Sequence, residues 1–285
     1  MTIVHDEDLW KEDHHDELLT SAVPCARTRS VNGSLTGQWA LVTGASKGIG
    51  FGITEALVRE GANAVLVARN LADLDEAQRT LEKIAVADQQ LLVRTADTAD
   101  REAIIDLFAW VRRELPALNI LVANAGSGAV IPFLDLPIDA WDATLALNLT
   151  GTFLCMQEAG RIMVDMPAGS NRAIVVVSSI RALGIRPGLA AYASSKAAVN
   201  QLVRMAAYEL APHGIRVNTV SPGITVTPLV AENLKANPAT SARRPSTCAS
   251  RPHGSSPGRT SSSTEASTCI EMLLTGQGKA TAGSQ

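Results

Sequence analysis

A tyrosine and a lysine four residues apart, Tyr192 and Lys196, are the side chains best placed for acid–base chemistry. On a helix, residues i and i+4 lie on the same face. A free tyrosine has a pKa of about 10 and is a poor base at neutral pH, but a nearby ammonium favours the phenolate and lowers that pKa. The spacing therefore predicts a tyrosine that exchanges a proton with a substrate oxygen.

A glycine-rich segment, Thr43-Gly44-Ala45-Ser46-Lys47-Gly48-Ile49-Gly50, follows a short apolar run and opens a helical pattern. Glycine lacks a Cβ atom, so the backbone can come close to a ligand, and free N–H groups at a helix N-terminus attract anions. This position between strand and helix predicts a loop that binds the pyrophosphate of a dinucleotide. A purely structural turn is the alternative.

The end of the second apolar run bears on which dinucleotide would bind. A carboxylate there typically accepts hydrogen bonds from the adenosine ribose of NAD. This chain has Ala68 followed by Arg69, and Lys47 lies in the glycine segment. A guanidinium can bind a 2′-phosphate bidentately, whereas a carboxylate would repel it. The sequence therefore favours NADP(H) over NAD(H), unless Arg69 and Lys47 are ordinary surface cations.

Short apolar runs alternate with longer helical segments from about residue 36 to 229. The runs lack polar and apolar alternation, as expected for strands buried on both faces of a parallel sheet. The alternation predicts an α/β fold with a doubly wound parallel sheet and ligands at the carboxyl ends of its strands. The expected strands are 40–43, 64–68, 91–94, 120–123, 174–177 and 217–220, and the expected helices are 49–60, 71–86, 100–114, 139–164 and 192–212.

Several motifs in a fixed order give the chain a family resemblance. They are the glycine pattern TGxxxGxG, Asn124-Ala125-Gly126, Asn148 in LNLTG, Ser179 in VVSSI, Tyr192 and Lys196 in YASSK, and Pro222-Gly223 in NTVSPG. With these motifs, residues 36–229 resemble the short-chain dehydrogenases/reductases, in their compact single-domain branch. The resemblance implies a Rossmann-type, three-layer α/β/α fold and hydride transfer between a nicotinamide cofactor and a carbonyl or alcohol.

The resemblance also implies a catalytic set. Tyr192 matches the family's acid/base, Ser179 the serine that hydrogen-bonds the substrate oxygen, and Asn148 the asparagine that holds a water against the lysine. Lys196 matches the residue that also contacts the nicotinamide ribose. Ser178 points elsewhere on an extended backbone, so Ser179 is assigned. Considered alone, each of these residues could also have a purely structural role.

The cofactor contacts implied by the resemblance come from the same motifs and the nearby strand ends. Asp97 and Thr98 resemble the family's adenine-contacting pair, although an Asp capping the next helix would look the same. Pro222 and Gly223 resemble a turn whose backbone meets the nicotinamide carboxamide. The full expected set is Gly44, Ser46, Lys47, Gly48, Ile49, Gly50, Arg69, Asp97, Thr98, Asn124, Ala125, Gly126, Tyr192, Lys196, Pro222, Gly223, Ile224, Thr225 and Thr227, with no metal ligands.

The overall composition argues against several other classes of protein. The chain has 285 residues, 46% of them hydrophobic, and a formal net charge of −3. Nothing global therefore indicates a nucleic acid or an anionic membrane as partner. No apolar stretch reaches the ~18 residues that a bilayer span needs. The four cysteines lack metal-ligand spacing, which is typical of reduced thiols in a cytoplasmic protein.

Residues 1–35 precede the recognisable motifs and are acidic at their start. Seven acidic residues oppose one lysine within residues 1–20, the reverse of a secretory signal, which begins with basic residues. We expect a disordered arm there. A metal site at His5, His14 and His15 is the less favoured alternative.

Residues 235–285 depart from the family pattern. Of the 31 residues from Pro238 to Thr268, 20 are Ser, Thr, Pro or Gly, and such a stretch cannot supply the helix and last strand that family members carry after the Pro-Gly turn. It is either a genuine disordered extension or the product of a shifted reading frame. We therefore expect a catalytic domain over 36–234 that lacks a normal last strand. The resemblance implies subunit contacts through helices around 150–164 and 192–212 and through the C-terminal region, so we expect a homodimer formed by those helices rather than a tetramer.

Two functions are compatible with these features. The favoured one is an NADP(H)-dependent oxidoreductase that interconverts a carbonyl and a secondary or primary alcohol. The family resemblance suggests a small-molecule substrate such as a polyol, a sugar or a 3-oxoacyl compound. The alternative is a catalytically weak or inactive dinucleotide-binding protein with a defective C-terminus.

Overall fold

The computed structural model describes residues 34–223 of the chain. Its strands are β1 (Trp39–Thr43), β2 (Asn63–Ala68), β3 (Leu91–Thr95), β4 (Ile120–Ala123), β5 (Ala173–Val177) and β6 (Arg216–Val220). They form one sheet in the order β3-β2-β1-β4-β5-β6, and every neighbouring pair is parallel. From β1 the strand order runs to one edge of the sheet through β2 and β3, and to the other edge through β4, β5 and β6. Open α/β sheets bind ligands at this switch point between β1 and β4.

Helices connect the strands and cover both faces of the sheet. They are α1 (Gly48–Arg59), α2 (Leu71–Glu82), α3 (Arg101–Glu114), α4 (Ile138–Leu145), α5 (Thr152–Val164) and α6 (Ala190–Leu210). A π-helical segment, Ala146–Gly151, joins α4 to α5, and short 3₁₀ helices cover Phe133–Asp135, Ile180–Ala182 and Ala211–His213.

Two buried apolar layers, one on each face of the sheet, hold the helices in place. Leu41 of β1 belongs to the layer that contains Phe108 of α3 and Val199 of α6. The next strand residue, Val42, belongs to the other layer, with Leu57 of α1. Successive side chains of a strand point to opposite faces, so unbroken apolar strands fill both layers. The predicted doubly wound α/β/α fold is confirmed.

The second helix is shorter than the sequence predicts, because it ends at Glu82 rather than at residue 86. The side chain of Gln89 explains the difference. Its amide oxygen accepts a hydrogen bond from the N–H of Val86 at 2.7 Å. Its amide nitrogen donates to the carbonyl oxygens of Val58 and Ala62 at 2.9 and 2.7 Å. These bonds fold the chain back toward the start of β2 and end the helix.

The helix predicted over 139–164 is wrong as a single element, because the π-helical segment Ala146–Gly151 interrupts it. At the end of that segment, a Cβ atom on Gly151 would lie 1.8 Å from the carbonyl oxygen of Thr98. The segment therefore packs against the loop after β3 more closely than any side chain would permit. Single π-helical turns are frequent at functional sites.

The predictions for the two ends of the chain lie outside the described residues, as do three of the four cysteines. Cys155, the remaining one, is a buried free thiol whose pKa burial raises to about 12, so it stays protonated and unreactive. Between residues 34 and 223, no helix is long and apolar enough to cross a membrane.

Candidate functional site

The glycine segment between β1 and α1 has a backbone that only glycine accommodates well. Gly44 and Gly48 have φ angles of +64° and +58°, in the region where a side chain is strained. A Cβ atom on Gly50 would lie 2.2 Å from the carbonyl oxygen of Gly44. The glycines therefore keep the loop tight against the first turn of α1.

The N-terminus of α1 suits an anion. Within the described range it has no side-chain cap, and its first turn holds no acidic residue. The next two helices differ, because Asn70 caps α2 and Asp100 caps α3, each with an acidic side chain in the first turn. The uncapped N–H groups and the helix dipole of α1 fit the pyrophosphate of a nicotinamide dinucleotide.

Asn124 ties the end of β4 to the end of β1. Its side-chain nitrogen donates to the carbonyl oxygens of Thr43 and Gly44 at 2.9 and 3.2 Å. The backbone N–H groups of Asn124 and Ala125 both donate to the Thr43 hydroxyl at 3.0 Å. The structure thus assigns the Asn124 side chain to supporting the glycine loop, while Ala125 and Gly126 continue toward the centre of the site.

Asp97 and Thr98 follow β3, on the side of the sheet where an adenine would lie. Asp97 accepts the N–H of Ala99 at 3.0 Å, whereas the cap of α3 is Asp100, which accepts the N–H of Glu102 at 2.9 Å. Asp97 is therefore not the helix cap that the sequence left open as an alternative. Thr98 is buried against Gly151, which links this loop to the π-helical segment.

Lys196 is buried beneath the site and 3% exposed. Its Nζ donates to the carbonyl oxygen of Val177 at 2.7 Å, at the carboxyl end of β5. Burial lowers the pKa of the Lys196 amine to about 8, because desolvation disfavours the ammonium form. A base with that pKa can gain or lose a proton near neutral pH.

Asn148 is fully buried in the π-helical segment and held on both ends of its amide. Its Oδ1 accepts the N–H of Ser127 at 3.0 Å, and its Nδ2 donates to the Ser127 carbonyl at 2.8 Å and to the Ser195 hydroxyl at 3.0 Å. A Cβ atom on Gly126 would lie 3.1 Å from Oδ1 of Asn148 and 3.2 Å from Nζ of Lys196. The structure therefore brings the Asn148 amide and the Lys196 amine together at Gly126, in the loop after β4.

Tyr192 lies in the first turn of α6, and the Ser179 side chain acts on its phenol, whose pKa it lowers. The Ser179 oxygen accepts the N–H of Arg181 at 3.1 Å, which leaves the serine proton to be donated to the phenol oxygen. The Ser178 hydroxyl is turned away and donates to the carbonyl oxygen of Lys196 at 3.3 Å. The structure places Ser179, not Ser178, beside Tyr192.

The pKa of Tyr192 departs from the sequence prediction, in which Lys196 lowers it. Burial raises the pKa above the ordinary value of 10, and the smaller effects of the Ser179 hydrogen bond and the Arg181 charge act in the opposite direction. Nζ of Lys196 lies 5.9 Å from the centroid of the Tyr192 ring and hydrogen-bonds Val177. The Tyr192 phenol is therefore protonated at neutral pH and has a proton that it can donate.

The cations predicted to bind a 2′-phosphate lie at the end of β2 and in the glycine segment. Arg69 is exposed directly after β2. Lys47 forms an ion pair with Asp73 in the first turn of α2, with 2.9 Å between Nζ and Oδ2. The sequence analysis did not identify this acidic partner, which offsets the charge of Lys47 and leaves Arg69 as the better placed cation.

The turn after β6 is only partly within the described range. The carbonyl oxygen of Pro222 accepts the N–H of Ile180 at 3.1 Å, so this turn lies against the residue that follows Ser179. Gly223 is half-buried beside it. The remaining predicted contacts of this turn, Ile224, Thr225 and Thr227, lie outside the described residues.

Two residues that touch the site were not predicted. A Cβ atom on Gly128 would lie 2.7 to 2.9 Å from three atoms of Tyr192. Arg181 carries a positive charge that acts on the Tyr192 phenol. Arg181 could have been identified from the sequence, because it lies two residues after Ser179. The contact of Gly128 with Tyr192 could not, because it depends on the tertiary fold.

Comparison with known proteins identifies the family. The family model for short chain dehydrogenases matches residues 38–238. The chain belongs to the short-chain dehydrogenase family. Gluconate 5-dehydrogenase of Gluconobacter oxydans is 36% identical over 196 residues, which are 68% of this chain and 73% of that protein. A 3-oxoacyl-[acyl-carrier-protein] reductase of Synechocystis is 34% identical over 207 residues, 72% of this chain and 81% of that protein.

A solved structure shares the fold of this short-chain dehydrogenase. It is a short chain dehydrogenase from Burkholderia cenocepacia in complex with NADP, with a TM-score of 0.69 and 27% identity, covering 84% of this chain and 91% of that one. The family membership confirms the resemblance that the motifs indicated. The chain is therefore an oxidoreductase of a family that binds nicotinamide dinucleotides.

Proposed function

We propose that this short-chain dehydrogenase interconverts a carbonyl and an alcohol with NADP(H), and that Tyr192 is its acid/base. The observation that carries the proposal is the meeting of three groups at the carboxyl end of β5. The Ser179 side chain lowers the pKa of the Tyr192 phenol, and Nζ of Lys196 lies 5.9 Å from the centroid of the Tyr192 ring. These groups can hold an oxygen and move one proton to or from it.

In reduction, the carbonyl oxygen of the substrate accepts hydrogen bonds from Ser179 and Tyr192. A nicotinamide cofactor, when bound, would supply the hydride chemistry for the carbonyl carbon. Tyr192 donates its proton to the oxygen as negative charge develops there, and the Ser179 side chain and the Arg181 charge, which lower the pKa of the phenol, favour the phenolate that results. The neighbouring Lys196 amine, whose pKa burial lowers to about 8, can give up a proton near neutral pH. Asn148 keeps the loop after β4 in place through its bonds to Ser127. In oxidation the same proton moves in reverse.

The preference for NADP(H) is supported by Arg69 and by the absence of an acidic side chain at position 68, where Ala68 ends β2. The Burkholderia neighbour was solved with NADP. For the substrate, the names of the relatives are compatible with a sugar acid or polyol and with a 3-oxoacyl compound. The position of the reacting oxygen between Ser179 and Tyr192 is common to all of these substrates.

The decisive experiment is a screen of carbonyl compounds with the full chain, following NADPH oxidation at pH 7. We expect turnover of at least one class, faster with NADPH than with NADH. The variant Tyr192→Phe should lose at least 100-fold in kcat, because it removes the proton donor, while NADPH binding measured by fluorescence stays within a few-fold. NADPH binding without any turnover would instead support the weak or inactive dinucleotide-binding protein.

The cofactor preference has its own test in Arg69→Ala. We expect the Kd for NADPH to rise about 10- to 100-fold, because one charged hydrogen bond to the 2′-phosphate is lost, while the Kd for NADH stays within a few-fold. The control Arg79→Ala removes a cation from the last turn of α2, the helix that begins two residues after Arg69, and should change neither value. Equal losses for both cofactors would contradict the role of Arg69.

A further inference from the structure

A serine of α6 that has no role so far, Ser195, is fully buried next to the proton-transfer groups. It precedes Lys196 in the chain and is 0% exposed. Its hydroxyl donates to the backbone carbonyl oxygen of Tyr192 at 2.7 Å. A hydroxyl has one proton and a carbonyl oxygen has none to return, so the Ser195 oxygen can only accept a further hydrogen bond. A donor must therefore face it.

The donor that faces Ser195 is the side-chain amide of Asn148, in the π-helical segment. Nδ2 of Asn148 donates to the Ser195 oxygen at 3.0 Å and to the carbonyl oxygen of Ser127 at 2.8 Å. An amide nitrogen carries two hydrogens, so both are used. Oδ1 of Asn148 accepts the N–H of Ser127 at 3.0 Å. Ser195 and Ser127 together therefore fix which end of the amide is nitrogen and which is oxygen.

The orientation of the Asn148 amide matters because of what lies beside its oxygen. A Cβ atom on Gly126 would lie 3.1 Å from Oδ1 of Asn148 and 3.2 Å from Nζ of Lys196, so the acceptor end of the amide and the buried amine meet there. The backbone of Asn148 is held as well, since its carbonyl oxygen accepts the Thr152 hydroxyl at 2.8 Å. The amide can therefore shift only when one of its own hydrogen bonds is lost.

We propose that Ser195 is a positioning residue, which keeps the Asn148 oxygen beside the Lys196 amine and supports proton transfer at Tyr192 through that amide. The proposal rests on the proposed function, since it adds a support to the acid/base assigned there. Without the Ser195 hydroxyl, one N–H of a fully buried amide loses its acceptor, which is costly. The amide regains an acceptor only by turning away from Ser127, and its oxygen then leaves the Lys196 amine.

The preceding residue of the helix, Ser194, supplies a matched control. It is exposed, whereas Ser195 is buried. Replacement by alanine removes the same hydroxyl group from either position, and alanine favours a helix, so α6 should form in both variants. A loss of activity in Ser195→Ala that Ser194→Ala does not show therefore comes from the buried hydroxyl.

A kinetic cycle tests whether Ser195 acts through Asn148. The full chain is assayed as wild type, Ser195→Ala, Asn148→Ala and the double variant, with a carbonyl from the screen and with kcat expressed per bound NADPH. We expect Ser195→Ala to lower kcat about 10-fold, the effect of one unpaired buried donor, while KM and the Kd for NADPH stay within threefold. Ser194→Ala should leave kcat within twofold of wild type.

In the Asn148→Ala background, Ser195→Ala should lower kcat no further, because the amide through which it acts is already gone. A second loss of about 10-fold in the double variant would overturn the proposal, since Ser195 would then act on Tyr192 directly. Expressing kcat per bound NADPH removes the effect of unfolded protein, so a purely structural role of Ser195 would leave that value unchanged.

A second measurement does not depend on turnover. The N–H of Ser127 donates to Oδ1 of Asn148, so its hydrogen exchange, followed by NMR, reports whether the amide keeps its place. We expect exchange at Ser127 to be about 10-fold faster in Ser195→Ala and unchanged in Ser194→Ala. Faster exchange without turnover of any carbonyl by the wild type would overturn the proposed function and leave Ser195 as the residue that positions the amide. Exchange that Ser195→Ala leaves unchanged would overturn the assignment of Ser195.

Discussion

Gly128 packs directly against the Tyr192 side chain. A Cβ atom at Gly128 would lie 2.7 Å from Cδ2 and 2.8 Å from Cβ of Tyr192. The Cβ atom is the root of the side chain, so the tyrosine cannot evade the contact by rotating its ring. Either α6 or the loop after β4 must move, and the phenol would move away from Ser179.

Gly128→Ala should therefore lower kcat about 100-fold, because a shift of about 1 Å in a catalytic group costs that much. NADPH binding should stay within a few-fold, since the glycine segment is untouched. The matched control is Gly184→Ala, whose added Cβ would meet the Ile180 carbonyl oxygen at an ordinary 3.5 Å. Steady-state kinetics of both variants decide the matter, and equal activity of the two would show that Gly128 does not position Tyr192.

At the scale of elements, the π-helical segment joins the two halves of the site. It carries Asn148, whose amide supports Ser127 in the loop after β4. It also presses Gly151 against the carbonyl oxygen of Thr98 in the loop after β3. The irregular helix thus connects the loop after β3 to the loop after β4.

Gly151→Ala should destabilise the protein by about 3 kcal/mol or more, because a Cβ atom 1.8 Å from a carbonyl oxygen forces the backbone apart. Gly160→Ala in α5 is the matched control. Its Cβ would meet the Leu210 side chain at 3.7 Å, and alanine favours a helix by about 0.5–1 kcal/mol, so stability should hold or rise. Urea unfolding of the two variants measures both changes, and a small loss at Gly151 would refute the packing argument.

The elements that sequence predicted well are those whose signal is local. The run Ile174–Val177 is apolar at every position and could only be a strand buried on both faces. The break at Gly151 has no such signal, because Asn148 and Gly151 continue an acceptable helical pattern. It depends on the close approach of Thr98, about 50 residues earlier in the chain, which no periodicity records.

The same division holds for the site. The shared face of Tyr192 and Lys196 follows from their spacing of four residues. The direction of the Tyr192 pKa does not, because it is set by how deeply the fold buries the phenol and by where the Lys196 amine hydrogen-bonds. The ion pair of Lys47 with Asp73 likewise arises only when α2 begins beside the glycine segment.

At the scale of the whole molecule, burying Lys196 in the site lowers the free energy of unfolding. Lys196 is 3% exposed, and burial lowers the pKa of its amine from 10.5 to about 8. In the unfolded chain the amine binds a proton up to a pH of about 10.5. Below pH 8 the folded protein must therefore carry a buried ammonium, and this penalty disappears as the amine becomes neutral in both states.

This linkage predicts how stability depends on pH. Between pH 8 and 10.5 the unfolded state binds the Lys196 proton and the folded state does not, so the contribution of Lys196 to the free energy of unfolding rises with pH. Relative to Lys196→Met, the wild type should gain about 3 kcal/mol across that interval.

Urea unfolding of wild type and variant at several pH values from 7 to 10.5 measures the difference. Lys83→Met, which removes an exposed lysine after α2, serves as control and should follow the wild-type curve. A constant difference between wild type and Lys196→Met would mean that the folded and unfolded states bind the proton equally. The Lys196 amine would then be solvated rather than buried, and it could not adjust its charge near neutral pH for proton transfer at Tyr192.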